Sequence, residues 1–174
     1  MKTFQLLPMH TVLLLTLFSA LLITACGDNP AGGDDDEHAD PHGLELVHNG
    51  QVILEYTEGE GVTEHTQRHY LVGEEYLFEV HFLDEKGGHV HDEDLGEEYS
   101  LGWDIENNNV LAIEQHEEDG RWSFYLEGLE EGGSKVQFKL MHGDDHGDFQ
   151  TFPVEHENAI EFHIDAVDTG EHEH

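Results

Sequence analysis

Histidine and carboxylate side chains are grouped at three points along this chain. Its 16 histidines stand beside 40 acidic residues in a length of 174. The three richest groups are His89-Val90-His91-Asp92-Glu93-Asp94, His116-Glu117-Glu118-Asp119 and His142-Gly143-Asp144-Asp145-His146-Gly147-Asp148. Neutral imidazole is the commonest protein ligand for metal ions, and carboxylate oxygens complete many zinc sites. The three groups therefore predict binding of a divalent transition metal, with Zn²⁺ as the first candidate.

The predicted metal ligands are drawn from all three groups. They are His89, His91, His116, His142, His146, Asp92, Asp144 and Asp145. These residues are far apart in the sequence, so a shared site requires the fold to bring them together. The spacing His142 to His146 brackets a turn with two glycines, which lets the backbone fold the two imidazoles towards each other.

A second set of histidines is predicted to bind metal more weakly. These are His65, His69, His38, His42, His172 and His174. If His65 and His69 lay in one strand they would share a face but stand about 13 Å apart, so they could not hold one ion. The other four lie in polar segments near the two ends, where an acidic, solvated segment that binds nothing is an equal alternative.

Calcium is an alternative to zinc. The hard oxygen ligands that Ca²⁺ prefers are supplied by Asp92, Glu93, Asp94, Asp144, Asp145 and Asp148. The number of histidines favours a softer ion.

Enzymatic motifs are missing from the sequence. There is no P-loop and no nucleophile elbow, and His116-Glu117 and His156-Glu157 each lack the second histidine of a zinc-protease helix. Acidic pairs occur throughout the chain and discriminate nothing. We expect a protein without catalytic activity.

The net charge of −34 limits the partners. It makes nucleic acid and anionic lipid headgroups poor partners, and it favours cations. The same charge also fits a structural or interaction module of an acidic, salt-adapted cell envelope whose histidines bind nothing specific. The sequence leaves that alternative open.

Cys26, the single cysteine, closes the run Leu21-Leu22-Ile23-Thr24-Ala25-Cys26 after an apolar stretch that begins near Val12. This run resembles the lipobox of bacterial lipoprotein precursors. The resemblance implies that residues 1–25 are a cleaved signal peptide and that Cys26 carries the acyl chains of a membrane anchor. The apolar stretch is short for a membrane span, although an uncleaved anchor with a buried cysteine is the alternative.

The lipobox resemblance also implies a location. The mature protein would be anchored to the cell envelope, facing the periplasm or the exterior, and Gly27 in place of aspartate favours the outer membrane over the inner one. Such a protein could buffer or scavenge metal, or deliver it to a metal transporter.

The segment that must position the histidines is predicted to be residues 43–168, between an acidic flexible tether over 26–42 and a disordered tail over 169–174.

Asn49-Gly50 is the pair best suited to a type I′ hairpin turn. Apolar residues then alternate with polar ones, the period of a half-buried strand. The inward rows are Tyr76, Phe78, Val80 and Phe82; Tyr99, Leu101, Trp103 and Ile105; Trp122, Phe124 and Leu126; Val136, Phe138 and Leu140; Ile160, Phe162 and Ile164. The pattern predicts an all-β sandwich or barrel.

Three stretches of this segment resemble bacterial Ig-like domains of the group 2 type. They are Ser100-Leu101-Gly102-Trp103-Asp104-Ile105, Asn109-Val110-Leu111-Ala112-Ile113, and the Gly-rich run from Leu126 to Val136. The resemblance covers roughly Val62 to Val167. It implies a single Ig-like β-sandwich, to which the hairpin at 44–56 adds an extra edge, and it implies no chemistry.

An up-and-down strand order would bring the three histidine-rich loops to one end of the sandwich. They follow the predicted strands that end at residues 83, 115 and 142. The turns expected at the opposite end, 72–74, 107–109 and 130–133, contain no histidine. This segregation predicts one metal site at the histidine-rich pole.

Overall fold

A computed structural model describes residues 40–66, 69–143 and 146–166. Within these residues the chain forms eleven β-strands and one short 3₁₀ helix. The strands are β1 (Gly43–His48), β2 (Gln51–Thr57), β3 (Gly61–Glu64), β4 (Tyr70–Leu71), β5 (Glu75–Leu83), β6 (Tyr99–Ile105), β7 (Leu111–Glu114), β8 (Ser123–Gly128), β9 (Gly132–His142), β10 (His146–Gln150) and β11 (Ile160–Asp165). The 3₁₀ helix is Glu117–Asp119. Two sheets enclose an apolar core, so the predicted all-β sandwich is confirmed.

The first sheet has six strands in the order β3-β2-β1-β5-β8-β7, and every pair in it is antiparallel. The second sheet is built on the long strand β9, which pairs with β6, β10 and β11. Strand β4 adds a parallel pair to β11.

The β1–β2 hairpin turns at Asn49 and Gly50, whose φ angles are 53° and 71°. Two consecutive positive φ angles define the predicted type I′ turn. The sequence predicted that this hairpin would form the edge of the sheet, but it does not. Strand β3 pairs with β2 and takes the outer position because the chain turns back immediately after Thr57.

The core contains aromatic side chains from both sheets. Phe78 and Phe124 stack with ring centroids 5.1 Å apart, and Phe124 lies 5.1 Å from Phe138 of the other sheet. All three are fully buried. Trp103 and Trp122 were expected in this core, but both are only partly buried and pack at its margin.

Three connections lie at one end of the sandwich, which we call the loop pole: the loop 84–98, the loop 115–122 and the β9–β10 hairpin. They meet because β5 runs antiparallel to β8, β8 to β7 and β9 to β6. The predicted meeting of these loops at one end is therefore present in the fold.

The opposite end is not free of histidine, which corrects the predicted segregation. His48 lies at the far end of β1, where its Nδ1 is 2.7 Å from the Leu77 carbonyl oxygen. His69 lies beside Asp165 at the far end of β11, with 2.6 Å between Nδ1 and Oδ2. The sequence argument considered three turns and missed histidines that enter this end from strand termini.

Several sequence-based predictions fall outside the described residues. They concern the signal peptide 1–25, Cys26, His38, Asp144, Asp145, His172 and His174. In the part of the chain that is described, no helix is long and apolar enough to cross a bilayer.

Candidate metal centre

Glu45 and His81 face each other on adjacent strands of the six-stranded sheet. They are register partners of the β1–β5 pair. Their neighbours Leu44, Leu46 and Val80 are buried, so the strand alternation places Glu45 and His81 on the outer face. His81 Nδ1 lies 3.7 Å from Glu45 Oε2. The backbone pairing of β1 with β5 sets the positions of these two side chains.

His89 joins them from the loop 84–98. Residues 89 and 90 pair with the end of β5, through a bridge between Leu83 and His89 and a 2.8 Å hydrogen bond from the Val90 amide to the Phe82 carbonyl. This pairing puts His89 Nε2 3.1 Å from Glu45 Oε2. The ring centroids of His81 and His89 are 4.9 Å apart.

Glu45, His81 and His89 each bring one ligand atom within 4.8 Å of the others. We call this set the outer-face triad. Two imidazoles and one carboxylate match the ligand set of zinc sites that keep a fourth position open for water or another ligand. Since a carboxylate accepts hydrogen bonds, the imidazole of His89 donates to Glu45, and a bound cation would take the place of that proton.

One nitrogen of the triad has no hydrogen-bond partner within the described part of the chain. His81 Nδ1 is buried, and among the described residues it has no hydrogen-bond partner. The Glu45 side chain is only 17% exposed. Buried polar atoms are nearly always paired in native proteins, so an unpaired one next to a shielded carboxylate suggests a ligand.

Negative charge is concentrated around the triad. Glu45 is also the register partner of Glu55 on β2, and Glu79 Oε2 lies 3.7 Å from His81 Nε2. Like charges directly opposite each other on neighbouring strands are destabilising. A cation at the triad would offset this repulsion.

His81, His89 and His91 line a cleft of about 410 Å³ between the end of β5, the loop 84–98 and the start of β8. His91 is exposed, and its amide donates to Asp94. His91 thus lines the same cleft as His81 and His89 but is not part of the triad.

Asp92 was predicted to be a metal ligand, and the structure gives it another role. Its Oδ1 accepts hydrogen bonds from Arg121, at 2.8 Å to Nε, and from the indole of Trp122. The Trp122 indole and then the Arg121 guanidinium hold the pKa of the Asp92 carboxyl below its ordinary range. A carboxylate already engaged by a guanidinium is a poor competitor for a metal ion.

His116 belongs to a different group. It brings a ligand atom within 4.8 Å of one from Glu118 and one from Asp119, all in the loop 115–122. Its ring lies against Tyr125, whose hydroxyl donates to Asp119 at 3.1 Å. That hydrogen bond raises the pKa of Tyr125. This group is more exposed and richer in oxygen than the triad.

His142 and His146 approach a common carboxylate, Asp148. His142 Nδ1 lies 3.5 Å from Asp148 Oδ2, and His146 Nε2 lies 2.9 Å from Oδ1. The Tyr99 hydroxyl donates to the same carboxylate at 2.9 Å, and the His142 ring stacks on Tyr99. Among the described residues, this set does not meet the three-ligand spacing of the triad.

The five histidines predicted for one site are therefore divided. His89 and His116 belong to separate groups, and His91, His142 and His146 belong to neither. The loops contact one another at this pole, where the Gly143 amide donates to the Glu98 carbonyl at 2.9 Å, but the five imidazoles do not converge on one point. Sequence reasoning placed the loops but not the side chains.

The weaker predicted ligands also separate. His65 follows β3 and lies 3.6 Å from Glu55, while His69 precedes β4 in the other sheet. They do not share a strand, because β3 belongs to the six-stranded sheet and β4 to the other one. His42 was placed in the flexible tether, but its amide donates to the Leu83 carbonyl at 2.8 Å, which extends the pairing of β1 with β5.

Sequence reasoning missed Glu45 and His81. Neither residue was among the predicted metal ligands. The available signal was that both residues point outwards from their strands. Predicting that they meet would have required the register between β1 and β5, which neither strand specifies alone.

Comparisons with known proteins do not identify a family. No family model matches the chain, and no curated protein matches it. Among solved structures it is similar to domains 4 and 5 of the S-layer protein SbsC, with 11% identity and a TM-score of 0.34 over 72% of this chain and 77% of that chain. A likeness at this level carries no argument about function.

Proposed function

We propose that this protein is a lipid-anchored, extracytoplasmic protein that binds a divalent transition metal, Zn²⁺ in the first instance, at the outer-face triad. The observation that carries the proposal is the approach of Glu45, His81 and His89 to within 4.8 Å at the edge of a cleft. The ligand set is that of zinc sites with an open coordination position.

The geometry favours zinc over calcium at this site. Two of the three ligand atoms are imidazole nitrogens, whereas Ca²⁺ takes six to eight oxygen ligands. Two ligands on paired strands also mean that little reorganisation is needed when the ion binds.

The anchor and location rest on the sequence alone. The lipobox-like run ending in Cys26 supports attachment to the cell envelope, with the outer membrane preferred over the inner one. A metal-binding domain held there would buffer or scavenge zinc, or deliver it to a transporter. The open coordination position suits such a role because it allows the metal to be exchanged between ligands.

Zinc titration of the full-length protein in detergent, stripped of metal by a chelator, tests the proposal. Competition with a chromophoric chelator should show one tight site above the weak background of the terminal histidines. His81→Ala should weaken that site by at least about 100-fold, more than the loss typical of changes beyond the direct ligands. A large excess of Ca²⁺ should not displace the zinc.

The matched control is His163→Ala. His163 is also an outward histidine beside a carboxylate, 3.8 Å from Glu161, but it lies on β11 of the other sheet. If His81→Ala and His163→Ala have the same zinc affinity as the parent, the triad is not the site. If no variant or parent binds zinc tightly, the acidic, salt-adapted envelope module becomes the better account.

A further inference from the structure

Arg121 joins the loop 84–98 to the start of β8 by an unusually complete set of hydrogen bonds. Its Nη1 donates to the Gly96 carbonyl at 2.7 Å, and its Nη2 donates to the carbonyls of Leu95 at 2.7 Å and Asp92 at 3.0 Å. Its Nε donates to the Asp92 carboxylate at 2.8 Å. Arg121 thus holds both the backbone and a side chain of this loop.

The guanidinium is also held from the other side. It lies 4.6 Å from the Trp122 ring centroid, in cation–π geometry, and the Trp122 indole donates to the same Asp92 oxygen. Because the guanidinium nitrogens already donate to loop oxygens, Arg121 is not available to an anion in the cleft. Its role is to fix the loop.

His89 is the ligand that needs such fixing. Glu45 and His81 lie within paired strands, whereas His89 lies in a loop with only a short pairing to β5. The Asp84 carboxylate accepts the amides of Lys86 and Gly88, at 2.7 and 2.8 Å, and shapes the chain before His89. Arg121 and Asp92 fix the chain after it.

We infer that Arg121 and Asp92 are positioning residues for metal binding, which hold His89 over Glu45 and His81 so that the third ligand is in place before the ion arrives. This inference rests on the proposed function of the triad. In this account the loop 84–98 is already ordered in the metal-free protein, so that binding of the ion does not have to order it. We call the contacts of Arg121 with Asp92, Leu95 and Gly96 the Arg121 clamp. Loosening this clamp should weaken metal binding only through His89.

A double-mutant cycle on the full-length protein tests this coupling. Zinc affinity is measured for the parent, Arg121→Lys, His89→Ala and the double variant. Lysine keeps the charge but lacks the planar fork that reaches several carbonyls. Arg121→Lys should weaken zinc binding by about 10- to 100-fold in the parent and by less than about twofold when His89 is absent.

Visible absorption of bound Co²⁺ supplies a second readout, since its intensity depends on the coordination geometry. Arg121→Lys should move the Co²⁺ spectrum towards that of His89→Ala. Lys139→Gln is the matched control, because it breaks the ion pair with Asp104 on the other sheet and should change neither affinity nor spectrum. If Arg121→Lys does not fold, Asp92→Asn replaces it, because it removes the negative charge of the oxygen to which Arg121 Nε and the Trp122 indole donate.

The outcomes separate the two claims. If the parent binds zinc at the triad and the clamp variant loses equal affinity with and without His89, the positioning role is wrong and the proposed function stands. If the clamp variant binds as tightly as the parent, the positioning role is also wrong. If His81→Ala has no effect on the parent, the proposed function fails and the inference fails with it.

Discussion

Glu45 and Glu55 are directly opposite each other on β1 and β2, with both carboxylates on the outer face of the six-stranded sheet. Each is flanked along its strand by buried apolar residues, so neither can turn inwards. Such like-charged pairs cost stability. Glu45 is also the carboxylate of the outer-face triad.

The first prediction is that Glu45→Gln separates stability from binding. In metal-free protein at pH 8, the change should leave the free energy of unfolding unchanged or raise it by up to about 1 kcal/mol, because the repulsion from Glu55 is removed. Zinc affinity should fall sharply, because an uncharged amide is a weaker ligand than a carboxylate. Urea denaturation and chelator competition measure the two effects.

Glu55→Gln is the matched control for this prediction. It relieves the same repulsion but keeps the Glu45 ligand, so stability should change in the same direction while zinc affinity changes little. A Glu45→Gln variant that is clearly less stable than the parent without metal would show that Glu45 has a structural role.

The second prediction concerns acid. Because the Trp122 indole and the Arg121 guanidinium lower the pKa of Asp92 in the folded protein, its ionised form stabilises the fold. That contribution is complete above the ordinary aspartate pKa of about 3.9 and is lost as pH falls through the lower folded value. Asp92→Asn should therefore be less stable than the parent at pH 7, and the difference should shrink below about pH 4.

Urea denaturation of metal-free protein at pH 7, 4, 3 and 2 checks the acid prediction. Comparing variant and parent at each pH cancels the effect of the many other carboxylates. Glu130→Gln is the control, because Glu130 is exposed in the turn before β9 and outside the Arg121 clamp. Its stability should differ little from that of the parent. A difference between Asp92→Asn and the parent that stays constant down to pH 2 would contradict the assigned cause.

The fold could be predicted from the sequence because each strand has its own local signal. The alternation around Phe78 and the Asn49-Gly50 turn fix strand faces and a hairpin without knowledge of the partner strands. The position of β3 outside the hairpin could not be predicted in this way, because Gly61–Glu64 is short and its pairing is decided by β2.

The candidate site was only partly predictable. His89 was found because it lies in a histidine-rich loop. Glu45 and His81 could not be found, because their meeting depends on the register between β1 and β5, and that register is set by the core on the other face. Asp92 was wrongly predicted to be a metal ligand, because the sequence around it does not reveal that its carboxylate accepts a hydrogen bond from Arg121, 29 residues away.

The third prediction compares core aromatics. Phe124 is fully buried between Phe78 and Phe138, so Phe124→Ala should destabilise the protein by about 3–5 kcal/mol. Trp103→Ala should cost less, because part of the indole stays in water in the folded protein. Urea unfolding of the two variants measures the free energy of unfolding that each loses. An equal or larger loss in Trp103→Ala would mean that the margin of the core is packed as tightly as its centre.

The fourth prediction concerns the anchor at Cys26, which lies outside the described residues. If the run from Leu21 to Cys26 is a lipobox, Cys26→Ser should give an uncleaved precursor without lipid, because the thiol is the acyl acceptor. Mass spectrometry of the protein from the membrane fraction measures both the start of the mature chain and the mass added at residue 26. Thr24→Ser is the control, since it keeps a small polar residue before the cysteine and should be processed normally. An unmodified Cys26 in the parent, or a mature chain that starts elsewhere, would overturn the lipid anchor and the location inferred from it, while the proposed metal site would be unaffected.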